Sequence, residues 1–265
     1  MVKKGYTLLC IDVGNTSTSY GLYGGGRFLR MGHSPTVKFP RLVLKLLSNK
    51  DNIPNRHAVI ASVVPKITLK IRKSLSQLRG VRIWEVGGNL QAGIKHNYKY
   101  INKLGPDRLV TAYGASRLYG APVLILDFGT ALTCDFISSK GVFEGGLIIP
   151  GPQISLQALS ERAALLPSIN FPKRHGSLIG RDTRGCMKAG ILQGYGAMAD
   201  GLVAKFRKRY GRRFRVVATG GLARTLAPYT TQIDVVDPLL TLKSLARLFR
   251  DKIISPPCTA SKLQY

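Results

Sequence analysis

Leu8-Leu9-Cys10-Ile11-Asp12-Val13-Gly14-Asn15-Thr16, near the start of the chain, and Leu124-Ile125-Leu126-Asp127-Phe128-Gly129-Thr130, near its middle, follow one pattern. Each is an apolar run suited to a buried strand, closed by a carboxylate, then a glycine turn, a hydroxyl and a second strand. A single Asp-x-Gly is common by chance, so the flanking strands carry more weight than the three letters. Each copy opens a half-chain with a similar order of strands and helices. Two related α/β domains facing one another across a cleft explain this better than one continuous sheet.

Outward from the first copy, Tyr6–Ile11 reads as a strand, Thr18–Tyr23 as its return, and Gly24-Gly25-Gly26 as a turn into Arg27–Met31. Together they form an antiparallel meander. A short amphipathic helix containing Val43–Leu47, a strand Ala58–Ser62, a helix opened by Pro65 and a strand Val81–Val86 follow. From the second copy, Leu132–Ile137 returns, Phe143–Ile149 makes a third strand and Leu156–Leu165 a helix. A helix over Asp107–Tyr119 precedes this half, a long one runs from Thr183 toward Tyr210, and Leu240–Phe249 is the last. Arg215–Ala218 and Ile233–Val235 complete the strands. Gly190, Gly194, Gly196 and Gly201 weaken the long helix by propensity but suit close approach of another backbone. The expected domains are residues 1–119 and 120–250; residues 251–265 read as a peripheral tail.

The 265 residues, 45% of them hydrophobic, can bury a sizeable core, and the 29 glycines follow no collagen period. Four cysteines without a CxxC pair exclude a disulfide scaffold and a zinc ribbon. The apolar run near the start stops at Asp12, too early for a signal peptide, and no stretch is long enough to span a membrane. A soluble cytoplasmic protein is expected. Forty Lys+Arg against 13 Asp+Glu give a net charge of +27. Such charge favours non-specific polyanion binding. The basic residues are spread along the chain, with one dense cluster of Lys205, Arg207, Lys208, Arg209, Arg212, Arg213 and Arg215. No sequence-specific nucleic-acid module accompanies it. His33, His57, His96 and His175 have no metal-ligand spacing, and Cys10, in an apolar strand, reads as core.

A glycine turn at a strand end exposes backbone N–H groups to phosphate oxygens, and Thr16 or Ser17 adds a hydroxyl donor. Asp12 repels those oxygens but can hold Mg²⁺ beside them; the bland alternative is a surface hairpin. The lysine-containing phosphate loop and the dinucleotide glycine pattern are both absent. Thr219-Gly220-Gly221, after the strand at 215–218, permits a planar ligand near the backbone or merely a tight turn. Gly105-Pro106-Asp107-Arg108 stands before a helix. There Asp107 is either an N-cap or a general base for a substrate alcohol, with Arg108 pairing a substrate carboxylate or phosphate charge. Asp135 is either an ion or water ligand or a solvating group at a strand edge.

Taken in order, these residues resemble the type III pantothenate kinase family of the actin-like, sugar-kinase-like ATPases. The resemblance runs through Asp12–Thr16, Ser62-Val63-Val64-Pro65, Gly105–Arg108, Asp127–Ala131, Gly145-Gly146-Leu147-Ile148-Ile149-Pro150-Gly151, Leu166-Pro167, Ile179–Thr183, Ala218–Leu222 and Asp237–Leu242, nearly the whole chain. It implies two duplicated actin-like (ribonuclease H-like) domains facing across a nucleotide cleft, usually in a homodimer. It further implies ATP-dependent phosphorylation of pantothenate to 4′-phosphopantothenate, a step of coenzyme A biosynthesis, with Mg²⁺ or a similar divalent ion and K⁺ or NH₄⁺. Under it Asp12, Val13, Gly14, Asn15, Thr16, Ser17, Thr18 and Ser19 meet Mg-ATP, and Thr130 contacts the nucleotide. Asp107 is the base and Asp127 holds the monovalent cation. Tyr98, Gly105, Pro106, Asp107, Arg108 and Thr183 meet pantothenate. The chain departs from the family at Pro106 (usually Ala), at Asp182 (often Asn) and at Ala163 (often Thr). A sugar-like kinase of the same fold, or a non-enzymatic transcription accessory factor, is the alternative; the latter is expected to lose one of Asp12, Asp107 and Asp127, all retained here.

Overall fold

The computed structural model describes residues 6–47, 55–174 and 176–255, so His175 and the tail beyond Ser255 lie outside the described residues. In chain order the first elements are β1 (Thr7–Val13), β2 (Ser17–Gly24), β3 (Arg27–Pro35), α1 (Phe39–Leu47), β4 (Arg56–Ser62), α2 (Pro65–Ser76), β5 (Val81–Glu85), β6 (Lys95–His96) and α3 (Pro106–Leu118). There follow β7 (Val123–Phe128), β8 (Ala131–Ile137), β9 (Val142–Pro150), α4 (Pro152–Arg162), α5 (Thr183–Tyr210), β10 (Arg215–Thr219), α6 (Ala223–Leu226), β11 (Val235–Val236) and α7 (Leu240–Phe249). A single π turn, Arg250–Ile254, closes the described chain.

The chain divides into two compact units, and the division is discontinuous. The first comprises residues 1–93, 105–114 and 241–265; the second comprises 94–104 and 115–240. This differs from the expected boundaries of 1–119, 120–250 and 251–265. The reason is packing: α7 and the start of α3 bury their apolar residues in the first unit. Phe249 is fully buried against Tyr6 and His57, at ring distances of 5.4 and 4.8 Å. Gly114 of α3 lies so close to Ser244 of α7 that a Cβ there would overlap the serine. Asp251, expected in the tail, accepts hydrogen bonds from the Tyr113 hydroxyl (2.9 Å) and Arg247 (2.7 Å).

The first unit carries a five-stranded sheet in the order β3-β2-β1-β4-β5. β1, β2 and β3 pair antiparallel, and β4 and β5 continue parallel to β1. β1 and β4 are almost wholly buried, which is why they read as unbroken apolar runs rather than as alternation. α1 buries Phe39, Val43, Leu46 and Leu47, one face at helical spacing. α2 starts at Pro65, whose missing N–H costs nothing at a helix N-terminus. Ser62 assists there, accepting from Val64 N–H at 3.1 Å and from the Thr68 hydroxyl at 2.6 Å.

The second unit has the order β11-β10-β7-β8-β9-β6. Its first five strands repeat the first unit's order and pairing sense: β7, β8 and β9 antiparallel, β10 and β11 parallel to β7. β6 is the addition, parallel to β9 at the edge. The core joins Leu124, Leu126 and Phe128 of β7 to Leu192, Tyr195 and Val203 of α5. Of the α5 glycines, Gly196 is used inside the unit, where a Cβ would strike the Tyr229 backbone. Gly190, Gly194 and Gly201 meet nothing within 4 Å. No helix among the described residues is long and apolar enough to cross a membrane.

Candidate functional site

In the first unit β1 ends in a turn held from several directions. Gly14 N–H donates to the Ser17 carbonyl at 3.1 Å and Thr36 N–H to the Thr16 carbonyl at 3.1 Å. The Thr36 hydroxyl donates to the Gly14 carbonyl at 2.7 Å and lies 3.1 Å from the Thr18 hydroxyl. Val13 and Thr18 are buried, so their side chains fix the turn and only their backbone is near its surface. Asn15, Thr16 and Ser17 are exposed, Asp12 and Ser19 half-buried, and these two stand opposite one another across β1 and β2. A tight turn with exposed amides and hydroxyls beside one carboxylate suits phosphate together with a divalent ion.

The same turn reaches the segment expected to carry the base. Val63 N–H donates to the Val13 carbonyl at 3.1 Å. The Val63 side chain would lie 3.4 Å from a Cβ placed on Gly105, and Gly87 would come 3.9 Å from Pro106 by the same measure. Val63 thus links the end of β1 to the start of α3, and with it Asp12 to the neighbourhood of Asp107. Pro106 is the first helical residue and the Gly105 carbonyl accepts from Leu109 at 3.1 Å, so Gly105 occupies the N-cap. The N-cap alternative for Asp107 is corrected: it is the second helical residue, two positions past the cap. Its Oδ1 accepts the Arg108 N–H at 2.8 Å, and the side chain fills the space a Cβ on Gly105 would need. Asp107 and Arg108 are both half-buried.

In the second unit three glycine segments close around the end of β7. A Cβ on Gly220, whose φ is +90°, would overlap Asp127 Oδ1 and stand 2.7 Å from the Phe128 carbonyl carbon. A Cβ on Gly129 would stand 3.3 Å from the same carboxylate oxygen. A Cβ on Gly151 would overlap the Thr130 carbonyl oxygen. Leu222 N–H donates to the Phe128 carbonyl at 3.1 Å and pins the glycine pair in place. Asp127 is half-buried and Thr130 exposed. Among the described residues no group of three or more His, Cys, Asp and Glu can hold a metal.

Asp135 is buried at the centre of β8, between β7 and β9, so the expectation of a solvating edge residue is corrected. Opposite it Gly146 has no room for a side chain, because a Cβ would stand 2.7 Å from Asp135 Oδ1. Tyr98 packs on the same strand, 6.0 Å from the Phe143 ring and beside Gly145. Thr183 is exposed as the first residue of α5. Asp182 caps that helix, its Oδ1 accepting from Gly185 N–H at 2.8 Å, a role any Asx residue fills. Among the described residues Tyr98 and Thr183 share no hydrogen bond.

Asp237 stands just after β11, at the head of the Asp237–Leu242 motif. It is buried, accepts the Tyr119 hydroxyl at 2.5 Å, and donates its own N–H to Ala218 at 2.8 Å. Burial and this carboxylate hold the Tyr119 hydroxyl protonated. Burial likewise pushes the Cys10 thiol up, which leaves it a core residue without nucleophilic character.

A family model described as type III pantothenate kinase matches residues 8–205. A curated type III pantothenate kinase of Listeria monocytogenes is 36% identical over 251 residues, covering 92% of this chain and 96% of the relative. That of Moorella thermoacetica is 35% identical over 246 residues, covering 90% and 96%. Among solved structures, a protein of Campylobacter jejuni assigned to the Baf family of transcriptional activators aligns with a TM-score of 0.59 at 18% identity, covering 92% of this chain and 98% of its own. The ethanolamine utilization protein EutJ of Carboxydothermus hydrogenoformans aligns at 0.53 with 13% identity, covering 90% and 88%. At these identities the two structures speak to the α/β fold alone.

Proposed function

Because the chain belongs to the type III pantothenate kinase family, it is an ATP-dependent kinase of coenzyme A biosynthesis, and we propose that Asp107 is the base through which it phosphorylates pantothenate. The observation that carries this is Val63, which ties the phosphate-suited turn after β1 to the segment bearing Asp107. In the proposed reaction Asp107 takes the proton of the substrate hydroxyl as the oxygen bonds to the γ-phosphorus. The bond from that phosphorus to the β–γ bridging oxygen breaks, and ADP leaves. The backbone amides from Asn15 to Ser17, with the Thr16 and Ser17 hydroxyls, hold phosphate oxygens, and Arg108 pairs with the substrate carboxylate. Positioning of the hydroxyl, the carboxylate and the phosphate supplies much of the rate of such a transfer.

Asp12 fits a divalent ion that keeps water and phosphate as its other ligands, since one carboxylate suffices there. Asp127, an oxygen donor at the end of β7 closely approached by Gly129 and Gly220, fits K⁺ or NH₄⁺. When bound, these ions offset phosphate charge. The duplicated domains with their nucleotide cleft, and a homodimer, belong to the same proposal. For the dimer the support is the open row of Gly190, Gly194 and Gly201 on α5, where another helix can approach closely.

Asp107→Asn tests the base. The amide oxygen can still accept the Arg108 N–H, so folding and ATP binding should stay near parental. Turnover should fall by roughly 10²-fold or more, the scale of a positioned acid–base group. Retention of more than about a third of parental kcat, with both substrates saturating, would reject the assignment.

A further inference from the structure

The densest positive charge of the chain lies where the kinase reaction makes no use of it. Between residues 205 and 215 there are seven Lys and Arg, no acid, and three aromatic residues interleaved with them. The segment is the last turn of α5, the loop through Gly211 and the start of β10. Lys208, Arg209, Arg212 and Arg213 are exposed, and none of the four makes an ion pair among the described residues. Four unpaired cations in so short a span repel one another and gain from a polyanion.

The aromatic residues form a platform. Tyr210 stacks on buried Phe136 with ring centroids 4.4 Å apart and planes 28° apart, yet keeps 49% of its surface exposed. Phe206 lies 5.9 Å from the Tyr210 ring, and Arg209 reaches within 5.6 Å of its centroid. Beside it opens a cavity of about 630 Å³ whose apolar wall is Phe136, Tyr210 and Pro122. Its polar wall is Ser138, Ser139, Arg212 and Arg213. A flat surface on one side and hydroxyl and guanidinium donors on the other match a nucleobase joined to phosphate. A neighbouring cavity of about 620 Å³ contains Asp234, whose carboxylate accepts the Val216 N–H at 2.7 Å; it is the poorer anion site.

We propose that this face binds single-stranded nucleic acid without sequence preference, bases stacking at Tyr210 and successive phosphates meeting Lys208, Arg209, Arg212 and Arg213. The row of cations exceeds the need of one phosphate group, which favours a strand over a free nucleotide. An exposed aromatic favours a single strand, because a duplex keeps its base faces covered. The face is also separate from the proposed kinase residues of the second unit. Pro122 precedes β7 and Arg215 opens β10, whereas Asp127 and Gly220 lie at the other end of that parallel pair. The four register steps from Val123 to Asp127 span about 13 Å at strand rise. Kinase turnover is therefore an independent readout of the fold.

Fluorescence anisotropy of a labelled 12-nucleotide oligouridine with the full chain tests the proposal. With four phosphates engaged, a single-strand salt slope of about −0.7 per contact predicts roughly fifty-fold weaker binding at 200 mM than at 50 mM salt. Arg212→Glu/Arg213→Glu should abolish binding at 100 mM salt and keep kinase turnover. Tyr210→Leu retains packing on Phe136 and should weaken binding about ten-fold with an unchanged salt slope, as expected when stacking alone is lost. Unchanged binding in either variant overturns the proposal. So does uridine monophosphate competing as well as the strand at equal concentration, a blunt duplex of equal length binding as tightly, or preferential capture by phosphatidylserine vesicles.

Discussion

Gly220→Ala adds one methyl group where the structure has least room for it. At φ +90° an L side chain costs about 1–2 kcal/mol in backbone strain. The methyl would also stand 2.7 and 2.8 Å from the Phe128 carbonyl carbon and oxygen, and would overlap Asp127 Oδ1. The carboxylate can rotate away, but the Phe128 carbonyl is held by Leu222 N–H and β7 by its pairing with β10 and β8. Overpacking against fixed backbone costs about 1–3 kcal/mol. The sum, about 2–5 kcal/mol, corresponds to a fall in thermal midpoint of about 4–20 °C for a chain of this size. Gly221→Ala is the internal control, since its Cβ meets nothing within 4 Å and its φ is not positive. Differential scanning fluorimetry of both variants, with turnover in K⁺ and in Na⁺, measures the two consequences together. Gly220→Ala should lose stability and monovalent-ion preference, because Asp127 is displaced; Gly221→Ala should lose neither. Equal midpoints for the two variants would refute the close approach of the glycine pair to β7.

Replacing K⁺ by Na⁺ should reduce turnover strongly in the parent, and Asp127→Ala should remove most of the difference; equal rates in both salts for the parent would reject the ion assignment. Gly194→Leu should keep the circular dichroism of the parent and shift sedimentation from dimer to monomer, while a parent that sediments as a fully active monomer would sink the α5 interface. Burial, with Arg82 as the lesser cause, lowers the pKa of His57, whose Nδ1 accepts the Trp84 indole N–H at 3.2 Å. The unfolded chain then binds the extra proton more readily, so stability should fall as pH drops below about 6.5, and His57→Phe should flatten that dependence in thermal melts at pH 5 to 7.

The repeated strand, carboxylate and glycine turn was legible because β1 and β7 are almost wholly buried and each carries a carboxylate one residue before its end, which no surface strand requires. The helix at Leu240–Phe249 was legible from periodicity, but its place in the first unit was not. Nothing local in the sequence tells Phe249 that its neighbours are Tyr6 and His57. β6 escaped notice because Lys95-His96 is a two-residue edge pairing with no apolar signal. At the site, the residue types were readable and their supports were not. The cradle of Gly129, Gly151 and Gly220 around the end of β7 depends on backbone approach across long sequence separations, which leaves no periodic trace. Asp135 was ambiguous for the opposite reason: a lone acid in a strand looks alike whether it faces solvent or Gly146.

The discontinuous make-up of the first unit sets an order on its synthesis. The residues of its sheet leave the ribosome first, whereas Leu242, Leu245 and Phe249 of α7 emerge only after the whole second unit has been made. Until then the nascent sheet lacks the helix that covers Tyr6 and His57, and the second unit, whose residues form one stretch from Ala115 to Leu240 apart from the short piece at 94–104, can complete its core earlier. Translation therefore finishes the amino-terminal unit last, and a ribosome stalled before codon 241 presents a nascent chain with one face of that sheet bare, a ready substrate for chaperones and proteases.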